Sequence, residues 1–256
     1  MIAVMKRFVK QYWKTLVFFA VIGVVGGFFV GIYQLDSYPQ ELQQQFFDQG
    51  LTKTILGMVT AVQSAGYGLV LGGLGIILAK KVGLWRDGVS FDKRPLMVTI
   101  VWAVIGGLAL ILPDLLFFEN YSDALRQSYQ AKPTIPYLLA MVTYGAVIEE
   151  VMLRLFMMSL VAYLLHRLFE KGKEKTSVTV LVAANVISAL LFAAGHLPSN
   201  DILFGLTPVI VFRCFLLNGG FGLLFGWLYR RYGLRYAMIA HGGCHVVSKL
   251  IWILFV

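Results

Sequence analysis

Residues 15–35 read TLVFFAVIGVVGGFFVGIYQL, from Thr15 to Leu35. Twenty-one residues pass without a charge, enough for a helix to cross the hydrocarbon core of a bilayer. Six more apolar blocks follow, at 54–79, 96–118, 136–166, 177–197, 207–229 and 236–256. Of the 256 residues 59% are hydrophobic and 14% charged, against about 25% charged in a soluble domain. The fold class that follows is all-α: a polytopic membrane protein of about seven transmembrane helices. Short connections read as one integrated membrane domain. Its residues 1–135 form a three-helix scaffold, and residues 136–256 form a four-helix half that holds the chemistry.

The net charge of +9 follows topology, not a nucleic-acid partner. Sixteen Lys and Arg residues cluster before span one, between spans two and three, after span four and after span six, while the alternate loops hold three, Lys53, Arg126 and Lys132. By the positive-inside rule the amino terminus is predicted in the cytoplasm and the carboxyl terminus outside. Compact size and the lack of organelle signals favour a bacterial plasma membrane. Cys214 and Cys244 fall in apolar segments and read as small packing residues. Gly26–Gly27, Gly72–Gly73 and the Gly222/Gly226 pair mark close helix approaches. Arg213 and Lys249 are predicted to snorkel from the outer halves of their spans.

Span four contains YGAVIEEVMLRLFMM, Tyr144 to Met158. An ionisable residue at mid-membrane costs roughly 2.5–3.5 kcal/mol on insertion scales, so such groups mark function. Glu150 and Arg154 are four apart and share a helix face, which predicts an ion pair. Glu149 points about 100° away from Glu150 on an α-helix and has no local partner. Span five ends LLFAAGHLPSN, with Phe192 one turn before His196. Span seven begins RYAMIAHGGCHVV, with His241 and His245 on one face. Two histidines so placed suit either a metal ion or donation to an oxyanion. Near the inner end of span four, His166 reads as interfacial. His196 stands near the outer end of span five, a depth that meets Glu149 and His241 only if that helix begins below the membrane, tilts or breaks early at Pro198.

These three motifs in order, E-E-x-x-x-R, F-x-x-x-H and H-x-x-x-H, resemble those of the CPBP family, which includes CAAX prenyl endopeptidases and bacterial Abi-type and bacteriocin-processing proteins. The resemblance covers about the last 120 residues and implies a CAAX-protease-like helical bundle and an intramembrane endopeptidase. By motif, Glu149 and His196 would activate water, Glu150 and Arg154 would pair, and His241 with His245 would stabilise the oxyanion. Position 245 departs from the family pattern, which has Asn there. The alternative is a zinc site on Glu149, His196, His241 and His245, zinc being the one cofactor it admits. The implied partners are the lipid bilayer and a hydrophobic or membrane-anchored peptide. A rival reading is a non-catalytic membrane scaffold, self-immunity or regulatory protein with a membrane protein partner. Against a proton-coupled transporter, the chain shows no internal repeat.

Overall fold

The computed structural model describes residues 2–87 and 91–256, with side chains from residue 6 onward. Among them the secondary structure is entirely helical. The elements are α1 (Ile2–Ser37), α2 (Gln40–Asp48), α3 (Lys53–Lys81), α4 (Lys93–Leu116), α5 (Asp123–Gln130), α6 (135–169), α7 (Val178–Gly195), α8 (Leu197–Phe204), α9 (Pro208–Tyr232) and α10 (Leu234–Phe255). Six stretches are long and apolar enough to cross a membrane: Lys6–Ser37, Lys53–Lys81, Lys93–Tyr121, Val178–Phe204, Pro208–Tyr232 and Leu234–Phe255. The remaining block predicted from hydropathy, 136–166, is the continuous helical run α6. Part of the 80–95 connection, residues 88–90, lies outside the described residues.

Local chemistry sets most of the boundaries. Thr52, Ser122, Thr134, Ser177 and Thr207 each accept a hydrogen bond from a backbone N–H three residues on, satisfying a donor that the first helical turn leaves free. Proline in the first turn reinforces the starts of α6, α8 and α9. Gly233, at φ +108°, closes α9 in a conformation that a side chain disfavours. Side chains such as Val62, Met97, Leu116, Phe212 and Leu254 point outward, as lipid-facing residues do where no water competes for them.

Glycine sets how closely the helices meet. A methyl on Gly26 would stand 2.6 Å from the Tyr144 backbone nitrogen, and one on Gly27 would strike the Thr60 carbonyl, so α1 wedges between α6 and α3. Of the second pair, Gly72 is tight against Phe19 at 3.0 Å, whereas Gly73 meets only ordinary contact at 4.0 Å. Gly222 and Gly226 both face α7. A methyl on Gly222 would come within 2.8 Å of the Ala189 Cβ, and one on Gly226 would overlap the Asn185 carboxamide. That carboxamide donates to the Leu223 carbonyl at 3.0 Å. Gly226→Ala is therefore expected to destabilise the protein by about 1–3 kcal/mol through overpacking. Gly220→Ala, where nothing lies within 4 Å, serves as the control for thermal unfolding in detergent.

Helix α6 is not a uniform α-helix. Met141–Glu149 and Val151–Met158 adopt the wider π form, with Glu150 between them. Such turns are rare and frequently lie at functional sites; shorter ones also occur at Tyr67–Leu71 and Phe215–Gly219. Beyond Phe169 the chain is held by Glu170. Its carboxylate accepts from the Ser177 backbone N–H at 3.1 Å and from Lys173 at 3.3 Å, and it lies 3.0 Å from His166 Nδ1. His166 thus closes an inter-helix connection, away from the cavity described below. The hydrogen bonds from Ser177, then the one from His166, hold the Glu170 carboxyl down at about 2, from an ordinary 4.5. A depressed folded-state value means that this stabilisation is complete above about pH 4.5 and fades toward pH 2. Wild type is expected to exceed Glu170→Gln in thermal stability at pH 7, with the gap closing on acidification from pH 4.5 to 3.

Candidate active site

One cavity of about 720 Å³ enters the bundle from the end that carries the 38–52 and 122–134 connections. Glu149, His196, His241 and His245 all line it, as do Tyr33, Leu110 and Asp114 from the first half of the chain. Residues from three well-separated sequence motifs therefore share one space.

His196 caps α7, and α8 begins at the next residue, with Pro198 in its first turn. Of the three ways to reconcile its depth, the structure shows a helix break at His196, just before Pro198; the Phe192 ring lies 4.6 Å from His196 and 6.4 Å from His241. His196 Nδ1 lies 2.9 Å from the Phe192 carbonyl oxygen. A carbonyl only accepts, so Nδ1 carries the proton, and in the neutral ring Nε2 keeps a lone pair for the cavity.

Glu150 has two partners, one more than its spacing predicts. Its Oε2 lies 3.4 Å from Arg154 Nε, the predicted pair, and its Oε1 lies 2.9 Å from His241 Nδ1. Glu150 is fully buried and Arg154 is 1% exposed. A carboxylate on Nδ1 orients a histidine and fixes which ring nitrogen faces the reaction space. The guanidinium of Arg154 finds little conventional hydrogen bonding. It sits over Phe192 at 4.7 Å and Phe225 at 5.5 Å, where aromatic faces attract a desolvated cation. Phe225 also stacks on His241 at 4.5 Å and 21°. Sequence reading missed Phe225. Its only local signal was an aromatic within the glycine-rich run of α9.

With Nδ1 given to Glu150, His241 presents Nε2, which lies 3.9 Å from Glu149 Oε2. That separation exceeds a direct hydrogen bond. The ring of His245 lies 5.0 Å from that of His241. A methyl on Gly145 would stand 3.4 Å from Nε2 of His245 and 4.0 Å from Nε2 of His241. Glycine here, one turn before Glu149, leaves open the space that both imidazoles face. Among the described residues no three His, Cys, Asp or Glu side chains are grouped closely enough to hold a metal ion. Cys214 and Cys244 are free and buried, as their packing role predicts.

Arg213 does not snorkel. Its Nε and Nη2 bond Asp114 Oδ1 and Oδ2 at 2.6 and 2.5 Å, and Asp114 is 1% exposed. Tyr129 on α5 donates to the same carboxylate at 2.7 Å. Arg213 Nη1 donates to Asn200 at 3.3 Å, and Asn200 donates to the His196 carbonyl at 2.8 Å. This chain ties α4, α5 and α9 to the backbone of a cavity histidine. Opposite charges near the same end of two spans were the signal for it in the sequence.

Fold and site together define a multi-pass helical membrane protein with a carboxylate–histidine cavity inside its bundle. Residues 131–247 match the family model described as Rce1-like, type II CAAX prenyl endopeptidase Rce1-like. Over that segment, which holds all seven motif residues, the protein matches the CAAX protease family that its motifs resemble. No curated protein and no solved structure gives a match to the chain.

Proposed function

We propose that the protein is a glutamate-dependent intramembrane endopeptidase of CAAX type, acting on a hydrophobic or membrane-anchored peptide. One observation carries the reading: Glu149, His196, His241 and His245 line a single cavity within the bundle. Glu149, assisted by Nε2 of His196, takes a proton from water as its oxygen attacks the scissile carbonyl carbon. The carbonyl oxygen becomes an oxyanion in the space left by Gly145, beside Nε2 of His245 and the Nε2–H of His241, which acts as the imidazolium because its Nδ1–H is already given to Glu150. Collapse of the tetrahedral intermediate breaks the C–N bond. The proton held by Glu149 passes to the leaving nitrogen, giving a carboxylic acid and an amine. Glu150 holds His241 in register, and Arg154 balances the Glu150 charge. The first 135 residues act as a scaffold that closes one side of the cavity. The charge bias supports an inside amino terminus, so the cavity opens outward.

His245 in place of the family's Asn favours a second reading, a non-catalytic partner or immunity protein. One experiment separates the two: new protein termini are compared in host membranes expressing equal levels of wild type or Glu149→Gln. Termini that depend on Glu149 support the protease and identify its substrates. Identical termini, with any cellular phenotype intact, sink it.

A further inference from the structure

Beyond the two histidines, α10 presents a third polar group on the same face. Lys249 follows His245 by four residues and His241 by eight, and it lines the same cavity. At 1.5 Å per residue it stands about 6 and 12 Å further along the helix axis, toward the cavity mouth. Its ammonium lies 5.2 Å from the Tyr137 ring and 5.0 Å from the Trp252 ring.

The other charges around the cavity are matched. Asp36 pairs with Lys53, Asp114 with Arg213, and Lys132 donates to the Ile253 carbonyl at 3.0 Å. Glu149 faces His241. Among the described residues Lys249 is the cavity-lining Lys or Arg whose charge meets neither a carboxylate nor a carbonyl. Two aromatic rings hold it in place and leave its hydrogen-bond donors uncommitted. Lys132, which also lines the cavity, meets a carbonyl and no carboxylate, so its charge adds to that of Lys249.

We propose that Lys249 is a specificity residue that receives a carboxylate of the bound peptide on the mouth side of the reacting bond. The inference rests on the protease reading for the peptide's placement. An extended peptide advances about 3.3 Å per residue, so the carboxylate falls within about four residues of the bond facing Glu149. It is supplied either by an acidic side chain or by the chain terminus.

The test is binding to the full protein in nanodiscs, read by fluorescence anisotropy. Three labelled peptides share one leucine–alanine apolar segment. One carries Asp in a short polar flank with an amidated end, one carries Asn with an amidated end, and one carries Asn with a free carboxyl end. Wild type is expected to bind at least one carboxylate peptide about fivefold more tightly than the neutral one, less so at high salt. The stronger of the two names the source. Lys249→Met is expected to bring that ratio near one, and Lys249→Arg to restore it. Equal binding by wild type, no binding of any peptide, or a ratio unchanged in Lys249→Met would overturn the proposal. Cleavage is not required for this readout. A Lys249-dependent preference without Glu149-dependent termini would thus remove the protease and keep the carboxylate site, and the converse would do the opposite.

Discussion

Purified Glu149→Gln is expected to cleave peptide substrate about 10³-fold more slowly than wild type, with KM within about threefold. A general base contributes roughly 10²–10⁴ in rate, and glutamine keeps the shape of glutamate while losing the lone-pair basicity. Glu149 is only partly buried, its side chain 20% exposed, and its nearest charged contact is His241 at 3.9 Å, so neutralising it breaks no tight pair. Thermal unfolding of the variant should therefore match wild type, which separates a chemical loss from a folding loss. His196→Ala should fall by a comparable factor. The double variant should fall little further, because two groups that activate one water act as a unit. A Glu149→Gln enzyme with wild-type kcat would remove Glu149 from the mechanism.

Arg154→Met is expected to cost about 3–5 kcal/mol of stability. Removing one member of a buried pair leaves the other charge uncompensated. Here the charge left behind is Glu150, fully buried, with only His241 still beside it. Phe192 and Phe225 would also lose the cation between them. Adding Glu150→Gln to Arg154→Met removes the stranded charge, so the double variant should unfold at a higher temperature than Arg154→Met alone. It should still cleave poorly, because His241 then loses the carboxylate that orients it. If the double variant is no more stable than the single one, the cost lies in packing against the phenylalanines and not in charge.

The two variants probe different kinds of information. The Glu150–Arg154 pairing was legible because both residues lie on one helix, four apart, and it holds across the π turns. His241 and His245 were legible as a pair for the same reason. The bond from His241 to Glu150 was not, since its partners are 91 residues apart and nothing local marks one carboxylate for one imidazole. Arg213 illustrates the same limit. Taken alone, a cation near a span end reads as one that reaches for the interface. Only its neighbour 99 residues away, Asp114, makes it a buried clamp.

By itself the sequence determined the membrane character, the approximate spans, the glycine contacts of α9 and the identity of the motif residues. Those properties depend on hydropathy summed over a window or on neighbours within two helical turns. Tertiary structure alone decided the two π segments of α6, the stacking of Phe225 on His241, the double role of Glu150, the clamp through Asp114 and the unmatched charge of Lys249. Each of these depends on which helix faces which. That choice comes from close packing at Gly26, Gly27, Gly222 and Gly226 and from the pairing of buried charges across the bundle, interactions whose partners are distant in the chain.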